Sequence, residues 1–224
     1  IHISDIHIRL FRRKEEYLYC FKELYKIIGK LEENRYIIVI TGDLLHSKLE
    51  LSPECEILTF DFLTNLSNLY PTILIAGNHD ALLNNRDRPD SISSILYKRP
   101  IKNLYYLKNT GIYEYYNIHF YVDSLLDDNK INMVEPLDSK KLNIGLYHGQ
   151  IFGWKNVKGY ISDSGEKYIE EFKGMDYVLL GDIHLHQYMS KEKPICAYPG
   201  SLISQNFGES DPNHGLLIWD LEEK

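Results

Sequence analysis

The sequence predicts an α/β fold in which two β-sheets pack face to face with helices on their outer sides. Three observations carry this expectation. Apolar runs such as YIIVITGD at 36–43 and PTILIAGNHD at 71–80 lack polar alternation, as strands buried on both faces of a parallel sheet do. A helix-spaced segment lies between the first two strands, which gives β-α alternation. After Arg99 the texture changes to a Tyr-rich half built mainly of short strand-like runs.

Taken in order, IHISDIHI at 1–8 opens the chain as a strand that runs into Asp5 and His7. Tyr17, Cys20, Phe21, Leu24, Ile28 and Leu31 follow the i, i+3, i+4, i+7 spacing of a helical stripe, which predicts a helix from about Lys14 to Glu33. Ser52 followed by Pro53 reads as an N-cap and a first helical residue, opening a helix that runs to about Asn68. In NLYYLKNTGIYEYYNIHFYV, 103–122, a Thr-Gly and a Tyr-Asn turn predict antiparallel hairpins. KLNIGLYHGQ, MDYVLLGDIH, PICAYPGS and HGLLIWDLEE continue as strands, with one short helix from Glu166 to Phe172.

At 224 residues the chain is long enough for one large domain, assigned to 1–224. It opens on Ile1 in mid-strand and ends on Glu-Glu-Lys, which suggests a piece of a longer protein. The longest apolar runs fall far short of the ~20 residues needed to cross a bilayer, so no membrane association is expected. Cys20, Cys55 and Cys196 form no CxxC pair, which points to buried thiols in a reducing intracellular compartment, cytoplasm, nucleoid or nucleus. A net charge of −7 argues against simple electrostatic binding of nucleic acid. The local exception is Arg9, Arg12, Arg13 and Lys14, directly after the first DIH triplet.

The chemistry gathers where strands end. DIH at 5–7, GDLLH at 42–46, GNHD at 77–80, HG at 148–149 and GDIH at 181–184 each place Asp, Asn or His just after an apolar strand. In open α/β sheets that edge is where ligands bind. A single Asp there is ordinarily a turn or cap residue, and a single His a packed structural one; five such loops in one chain point to one shared site. Carboxylates, an amide oxygen and imidazoles suit Mn, Fe or Zn, whereas a thiolate site would need cysteine. There are donors enough for two ions, and two ions ~3.5–4 Å apart can clamp the attacking and leaving oxygens of a phosphoryl displacement.

These ordered motifs resemble the calcineurin-like metallophosphoesterases. More narrowly, with YPGSLISQNFGE at 198–209 and HGLLIWD at 214–220, the chain resembles the nuclease subunit of SbcD-type and phage recombination complexes. The resemblance implies a four-layer αββα sandwich. It implies that Asp5 and His7 hold a first metal, that Asp43 bridges two, and that Asn78 and His148 hold the second. It makes His79 the acid that protonates the departing sugar oxygen, with Asp80 orienting it, and puts His46 against phosphate or the DNA strand. The attacking group would be water made more acidic by the metals. The two DIH triplets then become two sides of one centre, with Asp182 and His184 completing the ligand set. His184 with His186 is an alternative register. The first is preferred because Gly181 follows its strand directly, and moving the pair on would carry it away from the strand end. Arg9, Arg12, Gln150 and Ser201 are weaker candidates for substrate contact. For Arg9 and Arg12 a solvated loop and helix start is an equal reading, for Gln150 and Trp154 a packed surface loop is at least as good a one, and for Ser201 a turn role is preferred.

The expectation is a DNA phosphodiester hydrolase, exonuclease or endonuclease, acting in DNA repair or recombination. Its cofactors would be two divalent metals, manganese first, with iron, zinc or magnesium compatible. Its partners would be DNA, an SMC-like ATPase and a second copy of itself, all by resemblance. A phosphomonoesterase on the same scaffold is the main alternative, and a non-catalytic binding scaffold the remaining one.

Overall fold

The computed structural model describes residues 1–9, 13–31, 36–85, 87–205, 209 and 214–221. The first sheet has four parallel strands in the order β1 (His2–Ile3), β2 (Ile38–Thr41), β3 (Thr72–Ile75) and β4 (Leu104–Tyr106). Helices α1 (Lys14–Ile28), α2 (Pro53–Leu69) and α3 (Ser91–Leu96) connect them. The second sheet contains β5 (Gly111–Tyr115), β6 (Ile118–Asp123), β7 (Leu142–His148), β8 (Tyr177–Gly181), β9 (Gln187–Ser190) and β10 (Ile195–Tyr198). Its order is β5-β6-β7-β8-β10-β9, with the four inner strands parallel and an antiparallel strand at each edge.

Period-two alternation builds the layers. Ile38, Ile40 and Leu74 point outward into a core shared with Tyr17, Phe21, Leu24 and Ile28 of α1 and Phe62, Leu63 and Leu66 of α2. Val39, Ile73 and Ile75 point the other way and meet Phe120, Val122, Ile144, Leu146 and Leu179 between the sheets. Tyr121, Tyr147, Val178, Leu180 and Tyr198 project from the far face of the second sheet onto Phe172, Met175 and Ile151. The order is thus αββα. Among the described residues the outermost layer beneath the second sheet is thin, made of long loops and the 3-10 turn Ile169–Phe172.

Ser52 caps α2 as its sequence predicts, its hydroxyl accepting from the Cys55 amide at 3.2 Å with Pro53 in the first turn. Helix α1 is shorter than its apolar stripe, because Gly29 caps it; the predicted end at Glu33 lies outside the described residues. Two strand predictions are corrected. Leu104–Tyr106 forms no hairpin but pairs parallel with β3 across the α3 crossover, so Thr110-Gly111 carries the chain from one sheet to the other. Of the two predicted turns, only Tyr116-Asn117 makes a hairpin, joining β5 to β6. HGLLIWDLEE is not a strand over its described part: Leu217 makes one isolated bridge to His2, and Trp219 folds over the open end of the inter-sheet core. Strand β9 and helix α3 are too short to show a period in the sequence.

The Phe21 and Phe62 rings lie 4.1 Å apart between the two long helices, and Phe62 is fully buried. Phe62→Ala should lower stability by about 3–5 kcal/mol, read from the shift in a guanidinium unfolding curve.

Candidate metal centre

All five motifs meet because parallel strands put their carboxyl ends on one side. Strands β1, β2 and β3 deliver Asp5, Asp43 and Asn78 from the first sheet; β7 and β8 deliver His148 and Asp182 from the second. The turns are tight. Asp5, His7, Asp43 and Asp182 have φ of 52°, 48°, 51° and 94°, a left-handed backbone that costs roughly 1–3 kcal/mol per residue unless the surroundings hold it. Here the loops hold each other. The amides of Asp5, His7 and Ile8 donate to the carbonyls of Gly42, Asp43 and Leu44 at 3.2, 2.9 and 2.9 Å, and the Asp182 amide donates to both Asp5 oxygens at 3.2 Å. Gly77 must lack a side chain, since a Cβ there would overlap the Asp43 carboxylate.

The donor atoms fall into two groups that share Asp43. In the first, His7 Nε2 stands 3.0 Å from His184 Nε2, 3.4 Å from Asp43 Oδ2 and 3.9 Å from Asp5 Oδ1, and His184 Nε2 stands 3.8 Å from that same Asp5 oxygen. In the second, His148 Nε2 is 3.3 Å from Asp43 Oδ1 and 3.8 Å from Asp182 Oδ1, which accepts from Asn78 Nδ2 at 3.0 Å. Donors ~2.1 Å from one ion stand roughly 3.0–3.4 Å from one another, so the close pairs fit and the Asp5 and Asp182 oxygens need move by only a few tenths of an ångström. His148 Nε2 and Asn78 Oδ1 are buried without a hydrogen-bond partner. Buried polar atoms are ordinarily paired, and two orphans in one donor group are what a cation would satisfy. His186, the rival partner of His184, donates Nδ1–H to the Tyr198 carbonyl at 3.2 Å and is not among the residues lining the cavity that His7, Asp43, Asp182 and His184 share.

Electrostatics point the same way. Burial pushes the Asp5 carboxyl up to about 6. Burial also opposes charge on Asp43, but His148 and His7 beside it win and hold its carboxyl well below the usual range. Burial alone would discharge His148; the Asp43 carboxylate overcomes it and pushes the imidazole up to about 10. Burial lowers His7 to about 3. Without a metal the protein neutralises its own carboxylates with a proton on His148, the charge a divalent ion would replace.

The remaining candidates divide. His79 and His46 line a cavity of about 410 Å³ with His7, Asp43, Asp182, His184, Arg9 and Gln205. The His79 Nδ1–H donates to the His46 carbonyl at 2.8 Å, and its backbone amide donates to Asp43 Oδ1 at 2.8 Å. Asp80 does not orient that ring, contrary to expectation. It is fully buried and accepts the amides of Gly77, Leu45 and Leu44 at 2.8, 2.9 and 3.2 Å, tying the GNHD loop to the GDLLH loop. Arg9 donates to His46 Nε2 at 3.1 Å. Ser201 is corrected: it is fully buried, its Oγ pairing with His214 Nδ1 at 3.1 Å, so it presents nothing to a substrate. Gln150 lies outside the cavity lining, its carbonyl accepting the Glu166 amide, and Trp154 packs onto the core under the second sheet. Arg12 lies outside the described residues. Sequence reasoning gave no individual role to Thr41, whose carbonyl accepts from His148 Nδ1 at 2.7 Å, or to Glu209, which accepts from His184 Nδ1. Neither has a local signal, because each acts across the fold.

Two outcomes follow from this geometry. Loading the metal-free protein at pH 7 should release about one proton, from His148, detected as a buffer-dependent heat in calorimetry; a heat independent of the buffer would contradict the charged His148. Asp182→Gly should leave the metal-free fold about 1–2 kcal/mol more stable than Asp182→Ala in urea unfolding, since only glycine tolerates φ of 94° without strain.

Comparison with known proteins agrees with the geometry. The sequence pattern of the calcineurin-like phosphoesterases matches residues 1–186. An uncharacterized protein of Acanthamoeba polyphaga mimivirus is 44% identical over 235 residues, covering 100% of this chain but 17% of its own length. The SbcD component of the SbcCD nuclease of Staphylococcus saprophyticus is 26% identical over 255 residues, 100% of this chain and 66% of its own. An uncharacterized metallophosphoesterase of Bacillus subtilis is 22% identical, over 97% of this chain and 56% of its own. The fold of this family uses divalent metals, and the described residues supply clusters such as Asp5, His7 and His184, and Asp5, Asp43 and His148, that could hold them. With its sequence pattern running through all five strand-end motifs gathered at one cavity, the chain belongs to the calcineurin-like phosphoesterase family.

Proposed function

We propose that this domain hydrolyses phosphodiester bonds in DNA with two divalent metals, as a nuclease of repair or recombination. One observation carries the step from phosphoesterase to nuclease. The described residues of the segment 198–209, one of the stretches that carry the nuclease resemblance together with GDLLH, GNHD and HGLLIWD, pack against the back of the ligand loops. The Ser201 amide donates to the His184 carbonyl at 3.1 Å, and Gln205 Nε2 donates to the Ile6 carbonyl at 3.2 Å. The likeness to the SbcD component of the staphylococcal nuclease supports the same reading along the whole chain.

Asp5, His7, Asp43 and His184 would hold one ion, and Asp43, Asn78, His148 and Asp182 the other. The ions supply charge neutralisation at the phosphoryl oxygens and a more acidic attacking water. Oxygen donors in both groups favour manganese, with iron, zinc or magnesium compatible. The His46 carbonyl holds a proton on His79 Nδ1 and leaves Nε2 as the nitrogen that, once protonated from solvent, would deliver that proton to the departing sugar oxygen. Burial, and then the Arg9 charge, lower the His46 pKa. His46 therefore meets the phosphate as a neutral ring, with Arg9 supplying the positive charge at the rim. DNA, an SMC-like ATPase and a second copy of the chain are the partners this reading entails, in a reducing compartment that suits its three free cysteines.

Incubation with Mn²⁺ and labelled single- and double-stranded DNA, beside a generic phosphomonoester, tests the proposal. DNA should be cleaved, and His79→Ala should lose about 10²–10⁴-fold in rate with its metal content unchanged. Turnover of the monoester alone would make the protein a phosphomonoesterase, and loss of metal in His79→Ala would remove its role as acid.

A further inference from the structure

The three imidazoles of the donor set are backed in three different ways. His148 Nδ1 donates to a neutral carbonyl, that of Thr41. His7 Nδ1 is buried and has no hydrogen-bond partner. His184 Nδ1 alone meets a carboxylate: Glu209 Oε1 accepts from it at 2.8 Å, and Glu209 is only 9% exposed. The carboxylate is itself held, its Oε2 accepting the Gln205 amide at 2.7 Å with the Ser201 hydroxyl 3.5 Å away. Ser201 in turn pairs with His214 and donates its amide to the His184 carbonyl. Ser201 and Glu209 thus grip His184 by backbone and ring together.

A carboxylate on the far nitrogen fixes an imidazole in the Nδ1–H tautomer, aims the Nε2 lone pair and makes it a stronger donor. His184 Nε2 faces His7 Nε2 and Asp5 Oδ1, so the effect falls on the first donor group and not on the one around His148. We propose that Glu209 is a positioning residue that locks His184 for metal binding and selectively tightens the first of the two ion sites. This rests on the two-metal reading given above, not on the choice of substrate.

Mn²⁺ titration of the metal-free protein by calorimetry, without any substrate, tests it. Wild type should show two binding events. Glu209→Gln keeps the size and an acceptor oxygen but removes the charge. It should weaken one event by about 10–100-fold and leave the other in place, with the melting temperature of the metal-free protein little changed. In a His184→Ala background the same substitution should change nothing further, because its route to the metal is gone. Ring ¹⁵N shifts of metal-free wild type should show His184 with its proton on Nδ1. A proton on Nε2, unchanged affinities in Glu209→Gln, or equal weakening with and without His184 would each overturn the proposal. Failure of wild type to bind Mn²⁺ would overturn the metal reading itself and this proposal with it, so the two failures are told apart.

Discussion

A single buried carboxylate, Asp43, is the constraint on which the rest depends. It stands at the end of β2, where the two sheets come together, with Oδ1 toward His148 and the His79 amide and Oδ2 toward His7. A charge in that position is tolerable only if positive charge or strong donors surround it on all sides. The neighbouring features answer that demand. His148 is pushed up to hold a proton, Gly77 leaves room for the carboxylate, and Gly42, at φ of 92°, turns the chain so that Asp43 points inward. The site is electrostatically incomplete as protein alone, which is the property a metal-binding site must have.

Rigidity comes from the sheets and precision from the loops. The strands that carry the site, β1, β2, β3, β7 and β8, are buried along their length, so their ends cannot shift without opening a core layer. Four left-handed non-glycine residues are then held in strained turns by hydrogen bonds between loops rather than within them. Asp80 belongs to this framework. By accepting three amides from two loops, it sets the distance between the loop that carries Asp43 and the loop that carries Asn78 and His79.

The arrangement also separates roles that share one residue type. His7, His148 and His184 turn a ring nitrogen into the carboxylate cluster. His79 and His46 stand on the cavity wall, their rings 5.7 Å apart, with Arg9 bonded to the second. On the function proposed above, the imidazoles that hold metal would be neutral donors, whereas one that delivers a proton would carry a charge. Different loops provide the two settings: His7 and His148 are buried against carboxylates with His184 partly exposed beside them, whereas His46 and His79 stand half-buried on the cavity wall.

The sequence by itself determined the sheet-and-helix plan, the stripe of α1, the Ser52 cap and the five motifs. Those features are local: a period, a cap or a strand end is written in adjacent residues. It also placed Asp182 and His184, not His186, next to the strand end, and the structure sets those two beside Asp5, Asn78 and His148. Other features were decided only by the tertiary structure. Whether Leu104–Tyr106 turns back as a hairpin or joins β3 in parallel depends on which sheet edge is free, not on its own residues. The anchoring work of Asp80 is invisible in the sequence because its partners, Leu44 and Leu45, lie 36 and 35 residues away, and nothing in GNHD announces them. Thr41, Ser201 and Glu209 act on histidines 107, 17 and 25 residues distant, through contacts that exist only once the chain has folded. Periodicity and motif spacing reach a few residues along the chain, whereas hydrogen bonds reach across it, so the donors were legible in the sequence and the groups that aim them were not.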